Sequence, residues 1–248
     1  MILLLDVGNT NIYAGLSQDN EILKTFRLNT NSSLTVDELY MQIKPFINND
    51  QITQVLISSV VPKVSIELKK MAQKFLQVEA IIIKPGIKTG VLVKADNPKE
   101  VGSDLICVTA GLNSINPTLI IDLGTATKLI YTNNYTILGV VIMPGIQMSI
   151  SALNANTALL PEVELNIPPN VLGTNTINCI QSGILYGHAC AIDGLINKIK
   201  KEVKQELDVV LTGGLSSLIS LILETEHERQ PRLVLEGMLK IYQKNQRG

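Results

Sequence analysis

The 248-residue sequence lacks the compact signatures that most often announce a nucleotide or metal enzyme. It has no P-loop pattern, no glycine-rich dinucleotide fingerprint, no HExxH and no paired CxxC. Cysteine is scarce. Cys107, Cys179 and Cys190 are odd in number and lack metal-ligand spacing, which fits a reducing compartment rather than a disulfide framework. No charge of one sign dominates: 21 Lys and Arg stand against 22 Asp and Glu, spread along the chain. That balance argues against a nucleic-acid surface or a polybasic membrane patch. Long apolar runs are missing too. The N-terminal run, Ile2 to Leu5, stops at Asp6 and is far too short for the apolar region of a signal peptide. No window approaches the roughly 18 unbroken apolar residues of a membrane span. These absences predict a soluble cytoplasmic protein. Hydrophobic residues still make up 46% of the chain, ample for a core.

What the sequence does contain is one device, used twice. In TLIIDLGTATKLIYTNNYTILGVVIMPG (118–145), the apolar run Leu119–Ile121 delivers Asp122 into a turn with Gly124, Thr125 and Thr127. At the start of the chain, MILLLDVGNTNIYAGLS sets Asp6, Gly8, Asn9, Thr10 and Asn11 in the same arrangement. Strand, acidic turn, strand presents backbone N–H groups and a metal-holding carboxylate to a polyphosphate. Asp6-x-Gly8-Asn9-Thr10 alone reads equally well as an ordinary hairpin turn. Its recurrence as Asp122-x-Gly124 favours the phosphate-binding reading. Thr212-Gly213-Gly214 is a further point of backbone approach, or simply a strand-to-helix turn. His188 falls in an apolar helical stripe as a core or interface residue, and His227 lies in the acidic run around Glu224, Glu226 and Glu228.

The pattern predicts two similar halves, 1–116 and 117–248, divided near Asn116-Pro117. In the first, strands at Ile2–Leu5, Ile12–Leu16 and Ile22–Leu28 form a meander turning at Gln18-Asp19-Asn20. Thr35-x-x-Glu38 reads as a capping box opening a helix to about Ile47. A strand at Val55–Ile57, a helix from Pro62 to about Leu76, a strand at Ala80–Ile83 and a helix bearing Asp104 follow. The second half repeats the strands and adds a helix over about 147–155. After a proline-bearing connection, apolar positions at helical spacing predict a long helix from Thr176 to Lys204. Gly183, Gly187 and Gly194 lie within it at a cost of about 1 kcal/mol each, so another helix or a second subunit is expected against that backbone. A strand at Val209–Leu211 and two helices end the chain. The pattern predicts a duplicated ribonuclease-H-like α/β fold, two similar halves with a cleft between them.

The sequence resembles the type III pantothenate kinases over nearly its whole length, and the resemblance implies the actin-like ATPase fold shared with acetate and sugar kinases. The matching segments are DVGNTN, FRLNT, TVDEL, SSVVP, DNPKEVGSDL, IDLGTAT, VIMPGIQMS, TALLPEVEL, GTNT, QSGILYG, LTGGL and LEGMLKIYQKN, in that order. The resemblance implies ATP-dependent phosphorylation of pantothenate, the first step towards coenzyme A. It also implies magnesium, a monovalent cation (potassium or ammonium) and a homodimer with its active sites at the subunit interface. By the same resemblance, Asp6, Val7, Gly8, Asn9, Thr10, Asn11, Ile12 and Tyr13 form the first phosphate hairpin, with Asp6 near magnesium. Asp104 matches the general base, within the substrate-lining stretch Gly102, Ser103, Asp104 and Leu105. Asp122 matches the monovalent-cation ligand, Thr125 an ATP contact and Thr176 a pantothenate contact.

The chain departs from the family pattern at three places. Leu105 follows the base where arginine is usual, Ala95 stands where an aromatic is common, and Lys128-Leu129-Ile130 replaces a Thr-x-Asp ending. Leucine can neither neutralise phosphate charge nor fix a carboxylate bidentately; Lys128 is a candidate to replace that lost positive charge. The alternatives to a pantothenate kinase are a non-catalytic relative with a regulatory or accessory nucleotide-binding role and a kinase for another small hydroxylated acid.

Overall fold

The computed structural model describes residues 1–47, 51–84, 86–157 and 160–246. Ala158 and Leu159 of the TALLPEVEL segment lie outside the described residues. In the first sheet, β1 (Ile2–Val7), β2 (Asn11–Gln18) and β3 (Glu21–Asn29) run antiparallel as a meander. Helix α1 (Val36–Ile47) then leads to β4 (Gln54–Ser59), parallel to β1 on its free side. Helix α2 (Pro62–Met71), prolonged by a π-helical turn over Ala72–Leu76, leads to β5 (Ala80–Ile82). The order is β3-β2-β1-β4-β5. A short strand β6 (Leu92–Val93) and a 3-10 turn at Pro98–Glu100 precede α3 (Ser103–Gly111).

The second half repeats this plan. Strands β7 (Thr118–Leu123), β8 (Ala126–Asn133) and β9 (Thr136–Pro144) form the meander. After α4 (Ile146–Asn156) and α5 (Thr176–Val203), β10 (Asp208–Thr212) lies parallel to β7. The single turn α6 (Ser216–Ile219) connects it to β11 (Glu228–Arg229), and α7 (Leu233–Gln246) ends the chain. The duplication extends to detail. Both meanders turn on two left-handed residues, Asp19-Asn20 and Asn134-Tyr135, as the twist of a two-residue hairpin requires. Both slip register at equivalent places, Leu16/Ser17 and Tyr131/Thr132. The buried hydroxyls at those slips, Ser17 and Thr132, are without hydrogen-bond partners among the described residues.

Each sheet is positioned by its core. Leu3, Leu5 and Val7 alternate onto one face of β1 and pack with Leu39 and Ile43 of α1 and Leu68 and Met71 of α2. Each fully buried aliphatic side chain of this kind contributes about 1.5–3 kcal/mol. In the second sheet Leu119, Ile121 and Leu123 pack with Leu185, Ala189, Ile192 and Ile196 of α5.

Contacts divide the chain into two units, Met1–Asn113 with Arg232–Gly248 and Ser114–Pro231. The expected boundary at Asn116-Pro117 falls beside the first change of unit. The terminal helix, expected with the second half, packs instead on α3, β1 and β4 of the first. A Cβ on Gly237 of α7 would overlap the Cys107 carbonyl oxygen, so this crossing is close backbone packing. The glycines of α5 behave otherwise. A Cβ added at Gly183, Gly187 or Gly194 meets no atom within 4 Å, so the approach expected there is not made by the described part of this chain.

Candidate active site

In the first unit, β1 carries Asp6 to the edge of an open turn. Asp6 is paired in register with Ser58 of β4, and the Ser58 hydroxyl donates to Asp6 Oδ1 at 2.9 Å. Ser58 Oγ lies 3.1 Å from Ser103 Oγ, and Ser103 Oγ accepts the Ser59 N–H at 2.9 Å. The two hydroxyls thus link the first residue of α3 to the Asp6 carboxylate. Asp104 is the next residue, in the first turn of α3, where a carboxylate is favoured by the helix dipole. Its Oδ1 lies where a Cβ on Gly102 would stand, so the glycine leaves room for the carboxylate to fold back. Asp6, Ser103, Asp104 and Gly102 are therefore brought together by the ends of β1, β4 and α3.

The hairpin turn beside Asp6 is held from behind. Gly8 N–H donates to the Asn11 carbonyl at 3.0 Å, while Thr30 takes the Thr10 carbonyl through its N–H (2.9 Å) and the Gly8 carbonyl through its hydroxyl (2.7 Å). Asn9 and Thr10 are left exposed at the tip. Val7 and Ile12, expected in the phosphate hairpin, have side chains in the core at 1% exposure, so only their backbone remains for a ligand. Tyr13 lies under the Arg27 guanidinium, 4.1 Å from its ring centre. Leu105 points inward and is buried. Cys107, one turn on, is fully buried; desolvation first, then the charges of Asp6 and Asp104, push its thiol far up, so it stays protonated.

In the second unit Asp122 leans over the Gly124 turn and faces Lys128, its direct cross-strand partner, across 3.4 Å. Thr127 points to the opposite face, where its hydroxyl and His188 Nε2 are hydrogen-bonded at 2.8 Å. Burial holds the His188 ring below its usual pKa, as a core histidine. The carbonyl of Thr125 is packed against Gly145, with no space for a Cβ between them. Thr212-Gly213-Gly214 is a strand-to-helix turn. Gly213 adopts φ +90°, and a Cβ there would stand 2.6 Å from Leu123 N, so glycine is required. Thr176 opens α5 behind the cap Asn175, whose side chain accepts the Asn178 N–H at 2.9 Å. His227 is engaged by Ser220 and the Thr225 carbonyl.

The sequence pattern assigns no role to Ser58, although it closes the first strand-end cluster, and it offers Lys128 as a replacement positive charge without naming Asp122 as its partner. The signal for Lys128 was its position six residues after Asp122 across a two-residue turn, which sets the two opposite each other.

The sheets define the class first: two ribonuclease-H-like units with an acid at the end of each first strand, as in the actin-like ATPase fold. Solved structures agree. A Campylobacter jejuni protein assigned to the Baf family of transcriptional activators superposes with a TM-score of 0.64 over 99% of this chain and 100% of its own, at 19% identity. The Arthrobacter inorganic polyphosphate/ATP-glucomannokinase gives 0.52 over 98% of each chain at 12% identity. At such identities the likeness concerns the fold alone. The sequence narrows it. The family model described as type III pantothenate kinase matches residues 2–198. The type III pantothenate kinase of Acholeplasma laidlawii is 52% identical over 245 residues, 99% of either chain. The chain belongs to the type III pantothenate kinase family.

Proposed function

We propose that this chain transfers the γ-phosphoryl group of ATP to the primary hydroxyl of pantothenate, the entry step to coenzyme A. The observation that carries the reading is the Asp6–Ser58–Ser103 chain beside Asp104, in a protein of this family. Phosphoryl transfer needs positioning and charge neutralisation more than covalent catalysis. Asp104 accepts the proton of the attacking hydroxyl as the new P–O bond forms and the bond to ADP breaks. Asp6, kept in place by the Ser58 hydroxyl, is a hard oxygen donor suited to magnesium bound chiefly through substrate phosphates. When bound with ATP, magnesium neutralises phosphate charge. Residues 6–13 cradle the phosphates through backbone and through the exposed Asn9 and Thr10, with Thr125 contacting ATP. Gly102, Ser103 and Thr176 contact pantothenate. Asp122 requires a balancing cationic charge on the nucleotide side.

The active form in this reading is a cytoplasmic homodimer with its sites at the subunit interface. The open glycine positions of α5 support such a contact. No described helix is long and apolar enough to cross a membrane.

The test is ADP release with ATP, magnesium and pantothenate, for the wild type and Asp104→Asn. The variant should lose about 100-fold or more in kcat while keeping its fold and ATP affinity. A normal rate removes Asp104 from the base role. Absence of wild-type turnover in folded protein favours the non-catalytic relative, and turnover only with another hydroxylated acid changes the acceptor.

A further inference from the structure

The carboxylate matched to a monovalent cation already carries a cation from the chain itself. Lys128 Nζ stands 3.4 Å from Asp122 Oδ2, and the two side chains keep only 20% and 17% of their surface exposed. Register makes the pairing direct, because Asp122 and Lys128 are opposite residues of β7 and β8. The Asp122 carboxylate is also 3.8 Å from where a Cβ on Gly124 would stand, so the pair borders the acidic turn.

The side chains next to the pair offer a free ion little. Ile120 and Ile130, the next residues on the same sheet face, are fully buried and provide no side-chain oxygen. Among the described residues no further His, Cys, Asp or Glu completes a cluster of three around Asp122, so an ion there would depend on backbone carbonyls, hydroxyls and water. A hard cation needs several oxygen ligands, and a second positive charge beside Asp122 would be repelled by the ammonium. A lysine ammonium, by contrast, brings the same unit charge with three N–H donors on a tether. We infer that Lys128 replaces the monovalent cation, so that nucleotide binding and turnover require neither potassium nor ammonium. This inference rests on the proposed role of Asp122 beside the nucleotide. Lys128 is then a positioning residue that balances Asp122.

The experiment measures ATP affinity by calorimetry and pantothenate-dependent ADP release in tetramethylammonium, potassium and ammonium chloride at equal ionic strength. Wild-type values should agree within about twofold across the three salts, since screening is held constant. Lys128→Met keeps the length of the stem without the charge. In tetramethylammonium it should lose about tenfold or more in ATP affinity and recover in potassium or ammonium, while Lys128→Arg keeps the salt independence. Thallium-205 NMR, with thallium(I) standing in for potassium, should detect bound ion in Lys128→Met and none in the wild type. A wild type that needs potassium, or a Lys128→Met protein with unchanged ATP affinity in tetramethylammonium, overturns the inference. Should the variants fail to fold, the wild-type salt series and thallium spectrum decide alone. Loss of turnover in every salt with ATP affinity intact would count against the proposed function instead, leaving the affinity comparison to judge Lys128.

Discussion

His188 illustrates how a single residue reports its surroundings. Burial disfavours its charged form and lowers its pKa from the usual 6.5, while the hydrogen bond to Thr127 keeps the ring against β8. Above about pH 6.5 folded and unfolded chains both hold a neutral ring, and its contribution to stability is complete. As pH falls below that value the unfolded chain takes up the proton first, so stability declines until the folded pKa is passed. Urea denaturation midpoints between pH 8 and pH 5 should fall for the wild type and fall less for His188→Gln; parallel curves would show that this histidine does not set the acid limb. At this scale the sequence made the carboxylates legible, because Asp6 and Asp122 each end an apolar run beside glycine. It did not reveal their partners. Ser58 reaches Asp6 from 52 residues away through parallel register, and Lys128 reaches Asp122 only once the hairpin turn length is known.

Elements were more legible than contacts because their signals are local. The capping box is a direct case. Thr35 N–H and hydroxyl both donate to Glu38 Oε2 at 2.8 Å, and Glu38 N–H donates back to Thr35 Oγ1 at 3.3 Å. Those bonds, the backbone N–H first, hold the Glu38 carboxyl below its usual pKa. Loss of the N-cap in Thr35→Ala should cost about 1 kcal/mol of stability, read as a lower denaturation midpoint, while Thr35→Ser retains most of it. An unchanged midpoint in Thr35→Ala would mean that packing of Leu39 and Ile43 alone fixes α1. The features the sequence left unread were those without a period: the two-residue strands β6 and β11, and the π-helical turn at Ala72–Leu76. Two residues cannot display an alternation. The pattern predicts α7 as a helix, yet its return to α3 depends on the close approach at Gly237, a long-range fact that no local pattern carries.

At the scale of the whole molecule, helix α5 of the second unit carries one exposed glycine stripe. Gly183, Gly187, Cys190 and Gly194 recur at helical spacing and are exposed, and no described atom lies within 4 Å of a Cβ built on any of the three glycines. Alanine would fit at each and would stabilise a solvent-facing helix by about 1 kcal/mol per site. The folded chain therefore offers no packing reason for glycine there, whereas a second copy lying close against the stripe does. Light scattering should find a dimer for the wild type and a monomer for Gly187→Arg, whose side chain would stand in the path of a close helix contact. With the sites at a subunit interface, as proposed, the monomeric variant should also lose pantothenate turnover while keeping its far-ultraviolet spectrum. Gly187→Ala separates the two explanations without a large side chain. At a tight interface it weakens dimerisation, but on an open face it raises the denaturation midpoint and leaves the mass unchanged. A wild type that is monomeric and gains stability from Gly187→Ala would remove the subunit contact from α5 and leave its glycines without a physical reason.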